Sequence, residues 1–343
     1  MRAWANDGNF PDMPKPLAVS RDRLEALLSA PAARRLRIAV IGDVMLDTYL
    51  RGDVERISPE APVPVVRVAS RTHALGGAAN VAQNVAALGA TPVVVATVGT
   101  DAAAEQLRVM LDALAADTAG VLTTTRPTTT KTRVVARGQQ VVRVDEEVDS
   151  PLGPAIEATL KAAVDVAITS ADAIVLEDYN KGVLSEPVIR HAIAAAQAKT
   201  IPVVVDPKYR NFFAYGGATV FKPNRRELEA ALGASLDLTH PDALVDVVSR
   251  LGVERLLLTL GEHGMALVTP SGTVERIPAV AREVFDVSGA GDTALAGLVL
   301  ALCAGAPLET AAHFANAAAG VVVGKLGTAT VSPEELLAYV NRR

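Results

Sequence analysis

The chain has 343 residues, 50% of them apolar, and its 38 acidic and 33 basic side chains leave a net charge of −5. That length buries a core large enough for one α/β domain or two smaller ones, and the acidic balance excludes a broad basic footprint for nucleic acid. A single cysteine, Cys303, excludes an intrachain disulfide, and no run of about 18 apolar residues offers a membrane span, so a cytoplasmic protein is expected.

Residues 1–19 lack the apolar core of a secretory signal and read as a disordered extension ahead of one domain over residues 20–343. Ser20 is placed to N-cap a short helix through Leu28. Brief apolar runs follow at Ile38 to Ile41, Val93 to Val98, Ile174 to Leu176, Val203 to Val205 and Leu256 to Leu260, each suited to a strand buried on both faces. Helical patterns fill the intervals at Ala78 to Leu88, Ala102 to Ala115, Ile156 to Ile168, Glu186 to Ala198 and Pro241 to Leu251. This alternation predicts an α/β fold: a doubly wound, mainly parallel sheet flanked by helices, with ligands at the carboxyl ends of its strands. Two Val-, Thr- and Arg-rich stretches interrupt it, Tyr49 to Ala74 and Val121 to Asp145, the second with a hairpin signal at Gly138-Gln139. They predict a small antiparallel β flap, a lid whose apolar face needs a substrate site or a second subunit to cover it, and hence a homodimer.

Several strand ends carry residues suited to chemistry. Asp43, with Asp47 close behind, brings short carboxylates to the ligand edge, suited either to sugar hydroxyls or to a turn. Gly76-Gly77-Ala78-Ala79-Asn80 is a Gly-rich helix entry with Asn80 in its first turn. The basic residues Lys131, Arg133, Arg137, Lys181, Lys208 and Arg210 are candidates to meet an acidic substrate, one or two at most, the rest being solvated; Asp178 follows the third apolar run among the candidate sugar ligands. Asn224 and Glu227 fit a capping box or, alternatively, a hydrated Mg²⁺ and nucleotide phosphates, with Glu227 reaching the metal through water. Thr259, Gly261 and Gly264 form a turn able to line a nucleotide. The last motif is the richest. Asp286 to Thr293 leads from an expected strand, Arg282 to Phe285, into an apolar helix over Ala294 to Ala304. Gly289, Ala290 and Gly291 leave their amides open to an anion at the helix start, and Asp292 beside them is placed to take a hydroxyl proton. Cys303 falls in the apolar helix as a packed, inert thiol, and no histidine or cysteine spacing suits a transition metal. The phosphate turn is not a P-loop, and no G-x-G-x-x-G follows the first strand as a nicotinamide enzyme would require.

Taken in order, Gly42-Asp43, Gly76 to Asn80, Asn224-x-x-Glu227, Thr259-x-Gly261-x-x-Gly264 and Asp286-x-x-Gly289-Ala290-Gly291-Asp292 resemble the ribokinase-like carbohydrate kinases over residues 36–340. Within that family the likeness is greater to kinases of D-glycero-β-D-manno-heptose 7-phosphate, through Ile57 to Val65, Arg143-Val144-Asp145, Asp206-Pro207-Lys208 and Ala317 to Thr328. The resemblance implies ATP-dependent phosphorylation of the anomeric hydroxyl, with ATP, Mg²⁺ and a sugar phosphate as ligands. Asp292 would then be the general base and Gly289 to Gly291 the anion hole. Asn224 and Glu227 would serve Mg-ATP, Asn316 and the Thr259 to Gly264 turn would border the nucleoside, and Asp43, Gly77 and Asn80 would bind the sugar. Many relatives are fused to a nucleotidyltransferase marked by H-x-G-H. That motif is absent from this sequence, which implies the kinase alone.

Overall fold

The computed structural model describes residues 21–238, 241–281 and 284–341. The expected extension over residues 1–19 and the Ser20 cap lie outside them. The first helix, α1 (Arg21–Arg34), runs past Leu28 and contains Pro31.

Among the described residues nine strands form the main sheet. In chain order they are β1 (Arg37–Gly42), β4 (Thr91–Val98), β5 (Asp117–Thr123), β8 (Ala173–Glu177), β9 (Val203–Asp206), β10 (Val220–Phe221), β11 (Leu256–Thr259), β12 (Met265–Val268) and β13 (Val274–Ile277). Their spatial order is β13-β12-β11-β10-β9-β8-β1-β4-β5, and β12 alone runs against the rest, antiparallel to β11 on one side and β13 on the other. Each apolar run expected to be a strand is one. Side chains alternate across β1: Ile38 and Val40 enter the core on one face, Ala39 and Ile41 the core on the other. Helices cover both faces, which is why these strands read as uninterrupted apolar runs.

The helices are α2 (Ala78–Ala87), α3 (Ala102–Ala113), α4 (Pro154–Ser170), α5 (Glu186–Lys199), α6 (Arg225–Leu232), α7 (Pro241–Leu251), α8 (Ala290–Cys303), α9 (Leu308–Val322) and α10 (Pro333–Asn341). α8 is buried almost all round, from Asp292 to Ala301, so its sequence shows no polar stripe. Ala dominates α2 and recurs along α8, and these two helices pack against each other. Cys303 ends α8, and burial pushes its thiol up to about 12, in keeping with an inert side chain.

The lid is a separate four-stranded sheet, β3-β2-β6-β7, built from β2 (Val44–Ile57), β3 (Pro64–Gly77), β6 (Thr130–Ala136) and β7 (Gln139–Glu146). Three features differ from expectation. The two hairpins are antiparallel, but they join through a parallel β2–β6 pairing. Val121 to Thr123 belong to β5 at the edge of the main sheet, paired with β4; Val and Thr suit either sheet, so composition could not assign them. The hairpin turn sits one residue earlier, at Arg137-Gly138, where both residues have positive φ (51° and 77°), as a primed two-residue turn requires.

Ahead of α8, Val284 and Phe285 are exposed and irregular, so the described part of the expected strand is absent; Arg282 and Glu283 lie outside the described residues. The amides of Phe285 and Asp286 donate to Val323 O at the end of α9 and find no strand partner.

Candidate active site

The carboxyl edge of the sheet gathers the polar residues. Register pairs Gly42 with Glu177 and Glu177 with Asp206, so the ends of β1, β8 and β9 deliver acids side by side. Lys222 follows β10, and the α8 start closes over them. Carboxylate oxygens of Glu177, Asp206 and Asp292 lie within 4.8 Å of one another. All three residues are buried.

Asp292 is 6% exposed, in the first turn of α8. Burial raises its carboxyl to about 6, opposed by a 2.6 Å hydrogen bond that Asn80 Nδ2 donates to Oδ2. A carboxylate so tuned accepts a proton well near neutral pH. The Gly turn is held in place from both sides. Ser288 N and Gly327 N donate to the Asp286 carboxylate at 2.9 and 3.0 Å, which fixes the entry to the turn. Gly289 has φ 78°, and a Cβ there would lie 2.8 Å from Asn80 Nδ2, so only glycine leaves room for the Asn80–Asp292 bond. The first helical bond runs from Thr293 N to Gly289 O, so the amides of Gly291 and Asp292 ahead of it have no helical acceptor.

Lys222 had no role in the sequence reading. Its side chain is 2% exposed and donates to Asp206 Oδ2 at 2.7 Å. Burial works to depress its ammonium, yet Asp206 holds it above the ordinary lysine value. A Cβ on Gly291 would be 3.6 Å from Lys222 Nζ, so this cation lies beneath the glycine turn. Glu177 is the second surprise. Burial, then Asp206 and Asp292, push its carboxyl well up, and its Oε2 has no hydrogen-bond partner. The sequence signal for these groups was a strand run ending in an acid or a lysine; their juxtaposition needed the register.

Other candidates are engaged in ways the sequence left open. Asp43 accepts from the amides of Tyr179, Lys181 and Val183 at 2.9, 2.9 and 3.1 Å, which makes it the organiser of the loop after β8. Burial raises its carboxyl, opposed by these three hydrogen bonds. Asp178 is raised to about 6 by burial and by Asp43, and accepts from Tyr215 Oη at 2.8 Å. Gly76 and Gly77 press on β2: a Cβ on Gly77 would meet Asp43 O at 2.3 Å, and one on Gly76 would meet Met45 Cγ at 2.6 Å. Lys131 is held by Asp145 and Glu147, at 3.1 and 3.0 Å. Arg133 is held by Asp47 at 2.7 Å and lies over the Tyr49 ring.

On the other flank, Asn224 and Glu227 form a complete capping box on α6, Glu227 N donating to Asn224 Oδ1 at 2.9 Å and Asn224 N to Glu227 Oε2 at 2.8 Å. Lys208 Nζ binds the other Glu227 oxygen and lies over the Tyr179 ring. Thr259 N donates to Pro223 O at 3.0 Å, which sets the Thr259 turn beside this cap. Gly261 and Gly264 carry φ of 60° and 87°, and a Cβ on Gly264 would strike Ile277 O. Asn316, buried in α9, donates to Pro278 O at 2.8 Å, just beyond β13. The structure thus brings Asp292, Gly289, Gly291, Asn80, Glu227 and Lys208 around one edge, while Lys131 and Arg133 stand in the lid.

A doubly wound sheet with a glycine-rich helix start, a raised buried carboxylate and a separate four-stranded sheet defines a small-molecule phosphotransferase of the ribokinase-like class. Comparison with known proteins places it further: residues 35–335 match the pfkB family carbohydrate kinases, and the chain belongs to that family. It is 48% identical over 312 residues to the bifunctional protein HldE of Gluconacetobacter diazotrophicus, covering 89% of this chain and 64% of that protein. Against the HldE of Azorhizobium caulinodans it is 51% identical over 312 residues, with the same coverage. The chain therefore spans less than two thirds of these relatives. Among solved structures, phosphofructokinase-2 of Escherichia coli superposes with TM-score 0.72 at 21% identity, covering 90% of this chain and 99% of that one. Arabidopsis thaliana ribokinase complexed with ribose and ATP gives 0.68 at 20%, covering 89% and 98%. Both show the fold. Among the described residues no helix is long and apolar enough to cross a membrane.

Proposed function

We propose that the protein transfers the γ-phosphoryl group of ATP to the anomeric hydroxyl of D-glycero-β-D-manno-heptose 7-phosphate, giving the 1,7-bisphosphate of lipopolysaccharide core synthesis. One observation carries the chemistry: a buried carboxylate raised to about 6, held by a 2.6 Å hydrogen bond at the N-terminus of a helix whose first turn is glycine-rich. The substrate rests on the heptose-kinase motifs and on the identity to the HldE proteins.

Asp292 takes the proton of the attacking hydroxyl. The amides of Gly291 and Asp292 and the Lys222 ammonium face the charge that develops on the transferring group, where one well-aimed donor is worth about 3 kcal/mol, while the Ala290 amide is taken by Val287 O at 3.3 Å. Asn80 keeps the base oriented. The nucleotide lies along the Asn224 cap, the Thr259 to Gly264 turn and Asn316.

The residues fit Mg²⁺, whose preference is for oxygen ligands and retained waters. Glu177 Oε2 is a buried oxygen without a partner, and Asp206 lies beside it. Glu227, with one oxygen on a backbone amide and the other on Lys208, reaches a metal through water. Bound there, Mg²⁺ would supply positive charge to the phosphates. The exposed valines of the lid, Val68, Val142 and Val144 among them, suit contact with a second copy, a homodimer in which each lid is completed by its twin.

The test is ATP consumption against a panel of sugar phosphates. Turnover is expected with the heptose 7-phosphate and not with mannose 6-phosphate or sedoheptulose 7-phosphate. Preference for either near miss overturns the substrate and leaves the kinase; absence of phosphoryl transfer to any sugar overturns both.

A further inference from the structure

Behind the catalytic carboxylate, the α2–α8 interface holds a chain of polar side chains that the reaction itself does not touch. Asn80, Asn84 and Thr293 are each 0% exposed. Thr293 Oγ1 donates to Asn84 Oδ1 at 2.8 Å. Asn84 Nδ2 donates to the backbone carbonyl of Asn80 at 2.9 Å and to Asn80 Oδ1 at 3.3 Å. Asn80 Nδ2 then donates to Asp292 Oδ2 at 2.6 Å.

The direction of this chain is forced at one point. A backbone carbonyl can only accept, so the Asn84 amide must turn its NH₂ toward Asn80 and its oxygen toward the Thr293 hydroxyl. With that NH₂ in place, the Asn80 amide has one favourable orientation, oxygen toward Asn84 and NH₂ toward Asp292. Turned over, Asn80 would set NH₂ against NH₂ at one end and its oxygen against a carboxylate at the other. Asn80 and Asn84 are fully buried, so bulk solvent does not compensate an inverted amide.

We propose that Asn84, anchored by Thr293, is a positioning residue for phosphoryl transfer: it locks the Asn80 amide with its donor on Asp292 and so holds the catalytic carboxylate aimed at the acceptor hydroxyl. The proposal rests on Asp292 being the base. It also accounts for two polar residues within the buried interface of two closely packed, Ala-rich helices, where apolar side chains would otherwise serve.

The test uses the full chain, ATP and whichever sugar phosphate the wild type turns over. Asn84→Leu removes both amide functions at similar volume, and Asn84→Asp keeps the acceptor for Thr293 but loses the donors. Both are expected to lower kcat roughly ten- to a hundredfold, as misaimed catalytic groups do, with KM for ATP unchanged. In an Asn80→Ala background, Asn84→Leu should cause no further loss of kcat, because the group it positions is gone. Additive losses in that background, or full kcat in Asn84→Asp, overturn the proposal and assign Asn84 to packing alone. Should Asn84→Leu not fold, Thr293→Val carries the same test, with Thr293→Ser restoring the hydroxyl and recovering the lost kcat. Asp292→Asn run alongside separates the two claims: wild-type turnover there removes the base itself, whereas an inactive Asp292→Asn with fully active Asn84 variants removes only the positioning role.

Discussion

The α2–α8 interface and the four-stranded lid handle polarity in opposite ways. At the interface Asn80, Asn84, Asp292 and Thr293 are buried and hydrogen-bonded to one another. In the lid Ile57, Val63, Val68, Val142 and Val144 stand exposed, while acids and bases such as Lys131, Asp145 and Glu147 pair among themselves. The first region bonds within itself, each of these four side chains having a hydrogen-bond partner among the others. The second leaves apolar surface exposed, as the proposed contact with a second copy requires.

That contrast can be broken from either side. Lys222→Met should have the largest effect, because it strands buried Asp206 beside Glu177; a loss of about 3–5 kcal/mol is expected, read as a lower denaturant midpoint. Recovery in Lys222→Met with Asp206→Leu would show that the unpaired charge is the cause. Asp292→Asn should keep the fold and ATP binding while lowering kcat by about 10²-fold or more, the low end for a general base; near-normal turnover would remove Asp292 from the mechanism.

Acidity sharpens the same point. Asp178 and Asp292 are both raised to about 6, so between about 4 and about 6 the folded chain binds more protons than the unfolded one. Their contribution to stability is therefore complete below that window and is lost as pH rises through 6. Activity has the opposite sign, since a protonated Asp292 cannot accept a proton: kcat should fall as pH drops below about 6. Thermal unfolding and initial rates over the same pH series read both signs, and Asp292→Asn should flatten the stability slope in part. The smallest effect on the fold should come from the lid. Val142→Asp with Val144→Asp should leave thermal stability of the main domain nearly unchanged but shift sedimentation from dimer toward monomer; a wild type that is monomeric and fully active would defeat the dimer.

Much of the scaffold was legible because its signals are local. Strands buried on both faces write themselves as apolar runs, and Gly289 with Gly291 before an apolar helix marks a place where backbone must approach a ligand. Asn224 and Glu227 illustrate the limit of such signals: three residues apart, they satisfy a capping box completely, and only their setting beside Lys208 and the Thr259 turn puts that cap at the site. Asp43 was legible as a strand-end carboxylate, but its three amide partners lie more than 130 positions away.

The sequence alone determined the class of fold, the glycine-rich start of α8 and the acid next to it, since strand period, glycine and helix start act over a few residues. Tertiary structure alone decided the rest. Glu177, Asp206 and Lys222 became neighbours of Asp292 through strand register, β5 left the lid for the main sheet, and Asn84 met Thr293 across 209 positions. Hydrogen bonds and charges act over a few ångströms of space whatever the distance along the chain, so these relations exist only once the helices and strands have packed.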